Sequence, residues 1–126
     1  MERAVELLAC IQFLIIGLSH LFQPRAWASF FMILREKGSP GVFFNGFLSL
    51  IAGSLIVSFH NVWSGLPMVL TIVGWMQLIK AVTSFVAPQL AMRSLQRVSM
   101  ERAWEFRVAG AMFLALSGLM AYVLSR

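Results

Sequence analysis

The sequence predicts an all-α fold, a four-helix transmembrane bundle, on three observations. Four apolar stretches, roughly residues 4–22, 41–59, 66–87 and 104–124, each approach the ~20 residues that an α-helix needs to cross a hydrocarbon core of ~30 Å. Apolar residues make up 60% of the 126 and charged residues 12%, with a mean hydropathy of +0.83. A chain so composed cannot supply the polar surface of a soluble core. Breakers punctuate the apolar runs at Pro24, at Gly38-Ser39-Pro40, at Gly65 and at Pro88. The length fits one transmembrane domain, residues 1–126.

The first stretch opens with mixed charge (Glu2, Arg3, Glu6) and runs to Pro24 without a small-residue cleavage site, so it reads as a span and not a cleaved signal. After Pro24, Trp27, Phe30, Phe31 and Leu34 follow the i, i+3, i+4, i+7 spacing of an amphipathic helix lying at the membrane interface. The second span carries Gly46, Ser49 and Gly53 on one face. The connection after it, residues 60–65, has no charge, and His60 and Trp63 read there as anchors at the water interface. In the third span Gly74, Gln77 and Ala81 share a side, and Lys80 points away to reach the headgroups. A thinner stripe of Ala91, Leu95 and Val98 follows Pro88. The fourth span offers Ala111, Ala115 and Gly118. With Cys10 and Gly17 in the first span, each helix has a small-residue face suited to close packing in lipid.

Displacing the chain by 64 residues aligns Pro24 with Pro88, Gly46 with Gly110, and Cys10 and Gly17 with Gly74 and Ala81. The pattern predicts an internal repeat of two helical hairpins, about residues 1–62 and 65–126. Each hairpin holds a short interfacial helix, and the two-fold axis lies along the membrane normal. Arg25, Arg35, Lys37, Arg93, Arg97, Arg102 and Arg107 flank the first and third connections, against Arg3 and Arg126 at the termini. By the positive-inside rule both termini lie outside, as expected of a bacterial inner-membrane protein. The net charge of +5 sits beside apolar spans, so it points to lipid headgroups and not to nucleic acid.

Catalysis finds no motif. The chain has no Asp, which removes a Ser-His-Asp triad, and no Gly-rich phosphate loop. The two histidines fall at opposite ends of the bilayer, and no His, Cys or carboxylate spacing suits a metal. The single cysteine, Cys10, excludes an internal disulfide and reads as a packing residue. Polar groups inside spans mark the candidate site. His20, Asn45, Ser84, Glu105 and Arg107 lie at similar depth near the inner ends of their helices. They are expected to converge on one pocket for an amphiphile or quinone headgroup. Glu6, on the face of Cys10, Phe13, Gly17 and His20, is expected to face water at the outer end. It lies ~21 Å along the helix from His20, too far to pair with it.

The segment Leu14-Ile15-Ile16-Gly17-Leu18-Ser19-His20-Leu21-Phe22-Gln23-Pro24, followed by Trp27, Phe30 and Phe31, resembles the start of DoxX-like membrane proteins. Those are small four-helix proteins whose first helix ends in a Gly-Leu-Ser-Lys-Leu-like segment before a Pro; here His20 stands at the Lys position. The resemblance implies a membrane subunit that accompanies redox enzymes, in some members with a quinone nearby. The sequence as a whole predicts a non-catalytic membrane subunit or binding module with no cofactor of its own beyond a lipid or quinone. Its partners would be the bilayer and either a membrane protein or further copies of itself. The alternative is a small oligomeric transporter or channel, for which only Gln77, Ser49 and Ser54 supply polar groups past mid-membrane.

Overall fold

In a computed structural model that describes residues 1–126, the chain forms six α-helices and no strand: α1 (Glu2–Phe22), α2 (Pro24–Glu36), α3 (Ser39–Phe59), α4 (Met68–Val86), α5 (Pro88–Gln96) and α6 (Trp104–Ser125). The four long helices, of 19 to 22 residues, reach about 28–33 Å at 1.5 Å per residue and are apolar enough to cross a membrane. Only 26 of the 126 residues are buried, and Ile15, Phe22, Met76, Ile79, Val82 and Met112 stand well exposed. A helix whose outer face is this apolar needs hydrocarbon around it, because water would impose the full transfer cost on each of those side chains.

Proline sets the short helices. Pro24 and Pro88 occupy first helical positions, where a missing N–H costs nothing and the fixed φ already suits a helix. The residues before them, Gln23 and Ala87, leave the helical region at φ −127° and −132°, so the chain turns sharply between α1 and α2 and between α4 and α5. α2 and α5 lie at the same end of the bundle and touch each other. Leu34, Val42 and Leu95 form a small buried cluster there with Phe30, Phe31 and Met92. Arg35 donates from Nη1 to the Val98 carbonyl at 2.8 Å, which ties the end of α2 to the turn after α5. Gly38, at φ +69°, makes the turn into α3, and Gly41 lies against the Leu34 carbonyl with no room for a Cβ.

The spans pack as two antiparallel pairs, α1 with α6 and α3 with α4, and α1 meets α3 only sparsely. The hairpins expected within residues 1–62 and 65–126 therefore do not close on themselves. Each span takes its main partner from the other half, because the intervening α2 and α5 hold the two spans of each half apart.

Close backbone approach fixes both pairs. A Cβ on Gly53 would stand 2.8 Å from the Leu78 nitrogen and 2.9 Å from the Gly74 carbonyl oxygen. In the other pair Ser117 occupies the corresponding place, and its hydroxyl donates to the Cys10 carbonyl at 2.8 Å. Likewise Gly46 abuts the Ser84 Cβ, and Gly110 abuts the His20 Cβ and the backbone of Gly17 and Leu21.

Three of the four expected small faces point inward. The fourth does not. Ala111, Ala115 and Gly118 are exposed, and α6 instead buries Gly110, Ser117, Met120 and Val123, a face rotated by one residue. The reason is specific contact. Gly110 admits the α1 backbone and Ser117 satisfies a carbonyl on it, whereas a small apolar residue such as Ala115 meets acyl chains at no cost.

Gly53→Leu and Gly110→Leu should each lower stability in detergent by ~1–3 kcal/mol through overpacking. Gly118→Leu, where an added Cβ meets nothing within 4 Å, should be close to neutral; thermal unfolding of the three variants side by side checks this.

Candidate functional site

The five polar residues expected at one pocket occupy separate surroundings. His20 is buried in an aromatic cluster. Its Nδ1 donates to the Ile16 carbonyl at 2.8 Å, and its ring stacks on Trp27 at 4.1 Å between centroids, with Phe113 at 5.3 Å and Phe106 at 5.9 Å. Trp27 is held in turn by its indole N–H, which donates to Ser19 Oγ at 2.8 Å. Ser84 donates back to the Lys80 carbonyl at 3.0 Å and faces Gly46 of α3, its partner helix. Asn45 is half-buried on α3. Glu105 reaches Arg97 at 3.5 Å across a solvent-exposed gap, so that ion pair contributes little. Arg107 is exposed and lines a surface recess with Phe22, Gln23, Arg25 and Trp104, whereas Glu105 lines another with Arg97 and Arg102. Similar depth did not produce convergence, because these residues leave their helices in different directions.

The buried polar constellation lies at the opposite end, beside the termini. Glu6 of α1 is 4% exposed, and His60, the residue that ends α3, is fully buried. His60 Nε2 stands 3.1 Å from Glu6 Oε2, and Nδ1 stands 3.2 Å from Thr71 Oγ1 on α4. Thr71 Oγ1 donates to the His60 carbonyl at 2.8 Å and accepts from the Val62 N–H at 3.0 Å. The expectation that Glu6 faces water and that His60 is an interface anchor is corrected by these contacts. Trp63 is exposed and bonded through its indole N–H to Asn61. The misreading of Glu6 had a visible warning: an acid on the packing face of α1 needs a buried partner. That partner is His60, 54 residues away, and not His20 on the same helix.

One set of hydrogen-bond directions, with His60 Nδ1 protonated, satisfies every contact in this group and places a single shared proton in it. A carbonyl only accepts, so the Thr71 hydroxyl proton goes to His60 oxygen, and the Thr71 oxygen receives both Val62 N–H and His60 Nδ1–H. With Nδ1 protonated, the Nε2–Oε2 contact closes only if one proton lies between them. It belongs either to an imidazolium facing a carboxylate or to a carboxylic acid facing a neutral ring. Moving the Thr71 proton to Nδ1 instead would strip the buried His60 carbonyl of its donor, at a cost of ~1–3 kcal/mol.

Two hollows adjoin the constellation. A polar vestibule of about 420 Å³ opens at the termini, lined by Glu2, Arg3, Glu6, Ser64 and Arg126. Arg3 is held across it by the Leu124 carbonyl, and Arg126 lies over the Tyr122 ring at 5.9 Å. Deeper, an apolar crevice of about 190 Å³ runs along the seam between the two helix pairs. Val5, Ala9 and Phe13 form one wall, Ala52 and Ile56 the other, and Gln12 and Gln77 place two amides on its lining. No group of His, Cys and Glu side chains is arranged to hold a metal ion. No protein-family model, curated protein or solved structure matches this chain.

Thr71→Val removes the donor to His60 oxygen and the acceptor for Val62 N–H and Nδ1–H while keeping the side-chain shape. It should destabilise the protein by ~1–3 kcal/mol, and Thr71→Ser should recover most of that in the same detergent melt.

Proposed function

We propose that the protein is a non-catalytic integral membrane binding module that takes the headgroup of an amphiphile, of quinone size and type, into the crevice between its two helix pairs. The observation that carries this reading is the crevice itself, apolar on both walls and bearing two amides. Its volume of about 190 Å³ is ring-sized, since an engineered apolar cavity of about 150 Å³ takes benzene. A polyisoprenoid or acyl tail would lie along the exposed apolar faces of the helices. The crevice is a better candidate than the His20, Asn45, Ser84, Glu105 and Arg107 set, because Glu105 and Arg107 line separate surface recesses and His20 is enclosed by aromatic rings.

The likeness of residues 14–24 to DoxX-like proteins agrees with this role and extends it to that of an accessory subunit. The same contacts recurring 64 residues apart, Gly46 on Ser84 and Gly110 on His20, support an origin by duplication. The basic residues at the α2/α5 end support an orientation with both termini outside, in a bacterial inner membrane. In a Cys10→Ala background, Ser64→Cys should be labelled from outside intact cells and Ser39→Cys should be protected; the reverse pattern would invert the orientation.

Protein purified in native lipid should carry a stoichiometric amphiphile detectable by mass spectrometry of the extract, and should bind a short-tailed benzoquinone. Ala52→Phe should abolish both by filling the crevice. Gln77→Leu should weaken benzoquinone binding by roughly 2- to 10-fold, the worth of one hydrogen bond. Unchanged binding in Ala52→Phe would end this reading.

A further inference from the structure

We infer that Glu6 and His60 form a proton-binding site shared between the two helix pairs, which exchanges its proton with water through the vestibule at the termini. The inference needs no occupant in the crevice. The Thr71 hydroxyl, the Val62 N–H, the His60 carbonyl and His60 Nδ1 bond one another, which leaves Nε2 and the facing carboxylate oxygen to each other. The remaining contact, at 3.1 Å, is completed by one proton.

Access is one-sided. Glu6 lines the vestibule, whereas His60 is fully buried and lines none of it. A proton therefore reaches the imidazole by way of the carboxyl group. A hydronium ion gives its proton to the Glu6 carboxylate and leaves as water. The carboxylic acid passes the proton to Nε2, and the carboxylate is restored beside an imidazolium. Release retraces the same steps.

The charged groups around the pair come from few elements. α1 contributes Glu2 and Arg3, and the end of α6 contributes Arg126. α3 and α4 place Ile56, Leu70 and Thr71 nearby and no other titratable side chain. Arg3 bonds the Leu124 carbonyl and Arg126 lies over the Tyr122 ring, and neither stands within ion-pair distance of Glu6, whose partner is His60.

Loss of the proton has a structural consequence. A carboxylate would then face the lone pair of a neutral ring at 3.1 Å, or the ring would shift to its Nε2–H tautomer and draw the Thr71 hydroxyl away from the His60 carbonyl; either way the group loses a hydrogen bond. Glu6 belongs to the α1/α6 pair and His60 and Thr71 to the α3/α4 pair, and α1 meets α3 sparsely elsewhere. The crevice lies under the same seam and shares Val5, Ala9 and Ile56 with the adjoining core. Deprotonation thus loosens the seam at its termini end.

The test uses the full chain in lipid nanodiscs without added ligand. Nitrogen NMR of 15N-histidine protein reads the ring of His60, identified as the signal lost in His60→Gln. Infrared spectroscopy with 13C-labelled glutamate reads the Glu6 carboxyl band, identified by Glu6→Gln. The expected result is that both signals change together, at one common midpoint, within the pH range over which the protein stays folded. His60→Gln should take up one proton fewer per chain over the same range, in a sample whose helix content is unchanged. Separate midpoints for the two groups, a His60 signal that is silent throughout, or no exchange of the shared proton with D2O would each overturn the inference. The titrations are read on the wild-type protein, and since the chain has two histidines, the signal that survives in His20→Gln also assigns His60 should His60→Gln fail to fold. A crevice that binds no benzoquinone would leave them unaffected.

Discussion

Close approach of backbones within each helix pair is the constraint from which the rest of this structure follows. In hydrocarbon, helices gain nothing by hiding apolar side chains from the solvent, so association depends on van der Waals fit and on polar groups that find partners across the contact. Here Gly53 lies on the backbone of Gly74 and Leu78, and Gly110 on that of Gly17 and Leu21. Ser117 does the same work with a hydroxyl on the Cys10 carbonyl, and the Cys10 thiol returns a weaker contact to the Ser117 carbonyl at 3.4 Å. These contacts fix register. Once α3 and α4 are locked at Gly53 and Gly74, His60 at the end of α3 must come beside Thr71, two turns from the start of the contact.

Tight pairs leave a loose seam between them. At the α2/α5 end α2 bridges the seam, with Phe31 stacked on Phe106 of α6 and Phe30 meeting Phe44 of α3 at 6.4 Å between centroids, and the cluster of Leu34, Val42 and Leu95 adds to it. At the termini end Glu6 and His60 close it with a single hydrogen bond that depends on a proton. The crevice lies between these two closures. One closure is apolar and indifferent to solution conditions, and the other is ionisable. A fold built this way is stiff inside each pair and adjustable between them, and the adjustable end is the one that meets water through the vestibule.

The two histidines show how burial alone fails to identify a site. His20 is nearly as buried as His60, but its neighbours are rings and its one hydrogen bond goes back to its own helix. It serves packing. His60 bonds through both ring nitrogens to side chains of two other spans, one of them an acid. The difference lies in the partners, and these come from elements remote in the chain.

Much of the architecture was legible in the amino-acid sequence. Apolar length marked the four spans, because hydrocarbon thickness sets the length of a helix that must satisfy its own backbone. Pro24 and Pro88 marked the starts of α2 and α5, because proline fixes its own φ and constrains the residue before it. The inward faces of α1, α3 and α4 followed from small residues at helical spacing. The tertiary structure decided which spans pair, how α6 is rotated, and where polar groups meet. Spacing along one helix defines a face but not what lies opposite. Two helices with similar small faces pair according to the contacts each can complete, and Ser117 completes one that Ala115 cannot. Glu6 and His60 read separately as residues near water, since each is at a helix end. Only the packing of α1 against the end of α3 buries both and gives Glu6 its hydrogen-bond partner in His60.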